Sequence, residues 1–154
     1  MKYFLLGAVI KKFFKIIILL VLAVLVFIQF IPTKRTNPPK AGEILTRQEV
    51  KQLLKRSCYD CHSNDTKWPS YSYVAPLSWY FIEEVDKGRR KLNFSNWNRL
   101  SKEEQDKLLV DIWDEVEDSD MPPSQYLWLH GEAELSAGDK DLIYRWTHGL
   151  LPEF

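Results

Sequence analysis

The sequence predicts an all-α protein, a small helical domain preceded by a single N-terminal transmembrane helix. Three observations carry this. Residues 16 to 31 read IIILLVLAVLVFIQFI, with Gln29 the one polar residue in the run. Beyond it, apolar residues recur at helical rather than alternating spacing. Several of these stretches open with a Ser or Thr followed three residues later by Glu or Asp, the pattern of a reciprocal N-terminal cap. No stretch alternates convincingly enough to read as a strand, and there is no internal repeat or low-complexity tract.

The apolar run spans about 24 Å as a helix; Phe13 and Phe14, with Lys15 snorkelling, extend it to about 28 Å, enough to cross a bilayer core. Its N-terminal flank carries Lys2, Lys11, Lys12 and Lys15, as a cleaved signal peptide also would. However, the run is long, and it gives way to Pro32, Thr33, Lys34 and Arg35 rather than to a small-residue cleavage site. Residues 1–31 are therefore read as an uncleaved signal anchor. The lysine bias favours a cytoplasmic N-terminus only modestly, because Lys34 and Arg35 lie on the far side.

Residues 32–44, PTKRTNPPKAGEI, contain three prolines and scattered charge, and read as a linker. The domain proper occupies 45–154. Residues 32–154 hold all 21 acidic residues but only 17 of the 21 basic ones. A net acidic surface argues against nucleic-acid binding. The same part holds all six tryptophans and six of the seven tyrosines, material for packing around a flat apolar cofactor.

Within the domain, Thr46 with Glu49 predicts a capping box, and Val50, Leu53 and Leu54 a buried stripe that Cys58 and Cys61 continue. A second helix is expected over about 76–88, ended by the cations of KGRRK. "LNFSNWNRL" is expected to be irregular. Ser101 with Glu104 opens a third helix carrying Leu108, Leu109, Ile112, Trp113 and Val116, stopped before Pro122 and Pro123. Ser136 with Asp139 opens a fourth, with Leu142, Ile143 and Trp146 on one face.

Both cysteines of the chain lie in "RSCYDCHSNDT", residues 56–66. Cys58, Cys61 and His62 form C-x-x-C-H. Two thiols at this gap suit the two vinyl groups along one edge of a haem, and the adjacent histidine suits the proximal iron position. Two other chemistries use such clusters. A redox dithiol wants a strand-to-helix turn, which is not visible here. A structural zinc needs four ligands, and only the distant His130 and His148 could supplement these three. One covalent haem c is the leading expectation, with the other two open behind it.

A haem raises the question of the sixth iron position. Met121, the one methionine besides the initiator, lies in a loop directly before two prolines; a thioether there is the expected distal ligand. The competing reading is that it fills a gap in the core. His130 is read as a loop histidine with a backbone partner, and His148 as a cap at the last helix end. Arg89, Arg90 and Lys91 suit a helix C-terminus or haem propionates. The acidic run 114–120, DEVEDSD, is read as a solvated helix end or a docking face for a basic partner.

The blocks "CYDCHSNDTKWPSYSYVAPLSWY", "GRRKLNFSNW" and "DMPPSQYLWLHGEAELSAGDKDLIYRW" resemble, in order, the small haem-binding domain family of bacterial membrane-anchored c-type cytochromes. The resemblance covers roughly residues 45–150. It implies a monohaem cytochrome c-like fold, Cys58 and Cys61 as thioether attachment points, His62 as proximal ligand and Met121 at the family's methionine–proline position. It also implies a location at the bacterial inner membrane with the domain facing the periplasm, since covalent haem is attached outside the cytoplasm.

The expected function is carriage of single electrons between periplasmic or respiratory redox partners of unknown identity. The expectation is not an enzyme: a peroxidase would want an open iron and distal acid–base groups, for which His130 is a poor candidate. A haem-based sensor or ligand-binding module with an exchangeable sixth ligand is the alternative.

Overall fold

The computed structural model describes residues 2–151, with side chains from Ile10 onward. Every regular element among the described residues is helical. The α-helices are α1 (Lys2–Phe27), α2 (Gln48–Ser57), α3 (Tyr59–His62), α4 (Leu77–Lys91), α5 (Lys102–Glu117), α6 (Ser124–Leu127) and α7 (Ala137–Thr147). Short 3-10 turns lie at Ile28–Phe30, Ser70–Tyr73, Phe94–Arg99 and Gly131–Ala133. The chain divides into two compact units, one of residues 1–35 with 69–82, the other of 36–68 with 83–154.

In the first unit the apolar stretch Ile10–Phe30 is 21 residues long with a mean hydropathy of 2.9, long and apolar enough to cross a membrane. Its side chains are exposed from Ile10 through Phe27, as a lipid-facing helix requires. Gln29, the single polar residue of the run, is used at its end. Its amide donates to Ala75 O and accepts from Ala75 N, both at 3.0 Å. Arg35 adds a second tie: Nη1 donates to Ser72 O at 2.9 Å, and the guanidinium stands 4.2 Å over the Tyr73 ring.

The second unit has two apolar clusters. Ile44, Val50, Leu54, Tyr59, Phe94 and Trp97 form one, with Cys58, Leu92, Leu108, Ile112 and Trp146 against it. Leu53, Val116 and Ile143 form the other, where α2, α5 and α7 meet. Stacking of Tyr59 on Phe94 (5.4 Å) and of Phe94 on Trp97 (6.2 Å) runs through the first cluster.

The caps at Ser101/Glu104 and Ser136/Asp139 form in full, side chain to backbone in both directions. The one expected at Thr46/Glu49 does not. Helix α2 starts at Gln48, its N-cap Arg47 makes no side-chain cap bond, and Arg47 Nε instead takes Glu49 Oε1 at 2.8 Å. A competing cation one residue outside the helix claims the carboxylate that a capping box would use. The helix expected over 76–88 starts at Leu77 and continues to Lys91, through Gly88. That glycine serves close packing rather than termination. The stretch expected to be irregular is a 3-10 turn, with Asn93 as its cap accepting from Ser95 N.

Candidate functional site

Helix α2 does not run on through the C-x-x-C-H motif. Cys58, at φ −125°, ends it, and the four-residue α3 begins at Tyr59. The change of direction lets Tyr59, rather than the cysteines, continue the buried stripe: it is 3% exposed. Cys58 and Cys61 are both half-buried and unbonded to each other. Burial above all, then the neighbouring Cys61, pushes the Cys58 thiol up to about 12. Burial and then Asp60 push Cys61 up to about 12 as well. Both are neutral thiols at physiological pH. A redox dithiol depends on the reverse, a thiolate stabilised by cations or a helix N-terminus.

His62 is oriented by backbone. Its Nδ1 lies 3.1 Å from Gly88 O and 3.2 Å from Leu92 O, both in the second unit. Carbonyl oxygens only accept, so Nδ1 carries the proton and the lone pair is on Nε2. Burial lowers the pKa of the ring against the pull of these two carbonyls, which keeps it neutral. A histidine whose outer nitrogen donates to backbone is held as iron-ligating imidazoles are held.

The approach that allows this depends on Gly88. A Cβ there would meet Cys61 O at 2.6 Å and Cys61 Cβ at 3.1 Å, closer than real contacts permit. Helix α4 and α3 therefore pass backbone to backbone. This is a role for Gly88 that the sequence did not reveal.

The loop after the motif is fastened by polar groups that are themselves buried. Ser63 Oγ donates to Tyr59 O at 2.7 Å, and Asn64 N donates to Ser95 Oγ at 2.9 Å. Asn93 Nδ2 donates to Asn64 Oδ1 at 2.8 Å, and Asn64 Nδ2 to Pro39 O at 3.0 Å. Thr66 Oγ1 donates back to Asp60 O at 2.7 Å. Thus "SNDT" and "LNFSNW", separated in sequence, are one latch behind His62.

Arg89 completes the latch. Its guanidinium donates to Ser63 O (2.8 Å), Thr36 O (2.8 Å), Asn37 Oδ1 (3.0 Å) and Thr66 Oγ1 (2.8 Å). It is committed to loop carbonyls and side chains rather than presented to an anionic ligand, while Arg90 is largely exposed beside Glu83.

Met121 is half-buried in the turn after α5. Its N–H and that of Asp120 both donate to Glu115 O at 3.0 Å, folding the turn back onto the helix. Ser119 adopts a left-handed φ of 63°, and its Oγ accepts from Lys140 Nζ at 2.8 Å. A side-chain bond ties this region to the motif: Tyr126 Oη donates to Asp60 Oδ2 at 2.8 Å. His130 stacks on Tyr126 (4.2 Å) and its Nδ1 meets Glu132 Oε1 at 3.2 Å. The His130 ring thus has a carboxylate partner within its own loop. His148 caps α7, with Nδ1 donating to Tyr144 O at 2.9 Å. Among the described residues no group of three or more His, Cys, Asp or Glu is arranged to hold a metal ion.

Two neutral thiols two residues apart, next to an imidazole with a free, oriented Nε2, form a donor set that fits haem. The family comparison agrees. The haem-binding domain family model matches residues 23–149, well over half of the chain. The chain belongs to the haem-binding domain family. The match begins inside the apolar stretch Ile10–Phe30, so the end of that stretch and residues 31–44 lie within it. No curated protein and no solved structure matches the chain.

Proposed function

We propose that this haem-binding domain is a membrane-anchored c-type cytochrome that carries single electrons between periplasmic or respiratory partners. The observation that carries the reading is the orientation of His62, with Nδ1–H spent on Gly88 O and Leu92 O and Nε2 left free, directly after two unpaired thiols. Cys58 and Cys61 would hold one haem c by thioether bonds, His62 Nε2 would be the proximal ligand and Met121 the distal one. The bound haem would supply a one-electron couple. The chain's own part is to attach it, fix the imidazole, and keep the thiols neutral and shielded until attachment. A methionine sixth ligand raises the reduction potential relative to two histidines, which suits a carrier.

The apolar stretch Ile10–Phe30 would anchor the domain in the inner membrane, with residues 45–154 as the periplasmic cytochrome domain behind the 32–44 linker. The test is a haem stain on a denaturing gel after membrane fractionation, paired with spectra of Met121→Ala. Stain retained in the membrane fraction is expected, as is loss of low-spin methionine coordination in the variant. Colour lost on denaturation would refute covalent attachment. An unchanged spectrum in the variant would remove Met121 and favour an exchangeable sixth site, as in a haem sensor.

A further inference from the structure

The segment Pro69–Ile82, PSYSYVAPLSWYFI, contains no charged residue but five aromatic ones. Such a run in a small domain is ordinarily buried. Here four of its large side chains are more than half exposed: Tyr73 (57%), Val74 (53%), Leu77 (54%) and Tyr80 (54%). They succeed one another at spacings of one, three and three residues, across the turn Ser70–Tyr73 and the first turn of α4. Water is a poor neighbour for such a strip. Tyrosine, amphipathic and rigid, is characteristic of the boundary between lipid and water.

The segment is fixed at that boundary by two independent ties within its own unit. Gln29, one residue before the end of the apolar stretch, forms a two-bond amide clasp with the backbone of Ala75, 46 residues on. Arg35, just beyond the stretch, holds Ser72 O and covers Tyr73. A polar side chain inside an otherwise apolar span needs a partner, and Gln29 finds one in this segment. Residues 72–75 are thereby held level with the end of the helix, and Val74, Leu77 and Tyr80 extend from there.

We propose that residues 69–82 lie in the headgroup layer of the bilayer beside the end of the apolar helix, with Tyr73, Val74, Leu77 and Tyr80 turned into lipid. The membrane contact of this chain is then a helix plus a monotopic foot rather than a helix on a free tether. The proposal rests on reading Ile10–Phe30 as a membrane span. The occupant is the phospholipid surface, because the strip is continuous with that span and carries no charge that a soluble partner could select.

The test uses the full chain in phosphatidylethanolamine–phosphatidylglycerol vesicles, with the photoreactive residue p-benzoylphenylalanine placed at position 74, 77 or 80, or at position 22 within the span. Covalent lipid adducts are read by mass spectrometry after illumination. Adducts at 22 and at 74, 77 and 80 are expected. Adducts at 22 with none at the other three would overturn the foot and leave the span standing. No adduct at 22 would overturn the span, and the foot with it. Gln29→Ala in the position-74 chain is expected to cut the adduct yield several-fold at 74 without changing it at 22 in the matching chain. Equal yields at 74 with and without Gln29 would overturn the clasp.

Discussion

The two regions expected to face each other across the haem are built in opposite ways. The Cys58–His62 side is fixed many times over. Its histidine is held by two backbone carbonyls, its helix abuts Gly88, and its loop is fastened by the buried Ser63, Asn64, Thr66 and Ser95. The Met121 side is a turn folded onto the end of α5, with a tyrosine–aspartate bond from Tyr126 to the motif. The buried polar groups named here lie on the first side. The contrast also says where substitutions should be felt.

The largest effect is expected at Gly88→Ala. The added methyl meets Cys61 O at 2.6 Å, a backbone atom that cannot rotate away. Overpacking of this kind costs roughly 1–3 kcal/mol or more. Alanine's better helix propensity returns about 1 kcal/mol. Parting α3 from α4 also removes the Gly88 O and Leu92 O acceptors of His62, so the net loss should be about 2–4 kcal/mol by urea unfolding, with reduced haem content per chain. A variant as stable as the parent, with full haem, would show that the two helices do not need this approach.

Next comes Arg89. Removing the guanidinium in Arg89→Ala leaves four acceptors without their donor, two of them on the buried residues Ser63 and Thr66. A cost of about 2–3 kcal/mol is expected. Arg89→Lys should recover less than half, because an ammonium cannot reproduce the planar fork. Full rescue by lysine would mean that charge, not the latch, is what the position supplies.

Tyr126→Phe probes the Met121 side. It deletes the bond to Asp60 Oδ2 while keeping the ring that stacks on His130. The expected loss is about 1 kcal/mol. The spectrum of the bound haem should change in the features of the sixth ligand and not in those of attachment. A variant that lost attachment would contradict the division into two sides.

How much of this is legible in the sequence depends on the range of the interactions. The caps at Ser101 and Ser136 are local and readable from four residues each. The apolar stretch and C-x-x-C-H are readable for the same reason. Thr46/Glu49 carries an equal signal and misleads, because Arg47 competes for the same carboxylate. Gly88, where the second helix is expected to end, is a packing residue, and that shows only when Cys61, 27 residues away, is placed against it. Arg89 beside it suggests two roles, helix capping or propionate binding. It has neither as its main one, since its partners lie as far away as Thr36. Asn64 and Asn93 look like loop polarity, and only the fold shows them bonded to each other. Residues whose work is done across long sequence gaps leave no periodic signature.

The smallest effect is expected at Asp139, and its pH dependence gives it a signature of its own. Asp139 closes the cap of α7 and pairs with Arg56 Nη2 of α2 at 2.8 Å. Burial raises its pKa, but the Ser136 hydroxyl and amide and the Arg56 guanidinium outweigh this and hold the carboxyl below its usual value. A group with a depressed folded-state pKa adds stability that is fully present above the unfolded value, near 3.9, and is lost as pH falls through the folded one. Asp139→Asn keeps an acceptor for the cap and removes the charge. At neutral pH the cost should be about 1 kcal/mol or less. As pH falls below about 4 the stability curves of variant and parent should draw together, and they meet once the pH is below the depressed folded-state value, where the parent's carboxyl is protonated as well. The haem spectrum should be unchanged throughout, because neither Ser136 nor Arg56 touches His62 or the turn at Met121. Curves that stayed parallel into acid would show that the charge of Asp139 adds nothing to the cap of α7 or to its pairing with Arg56.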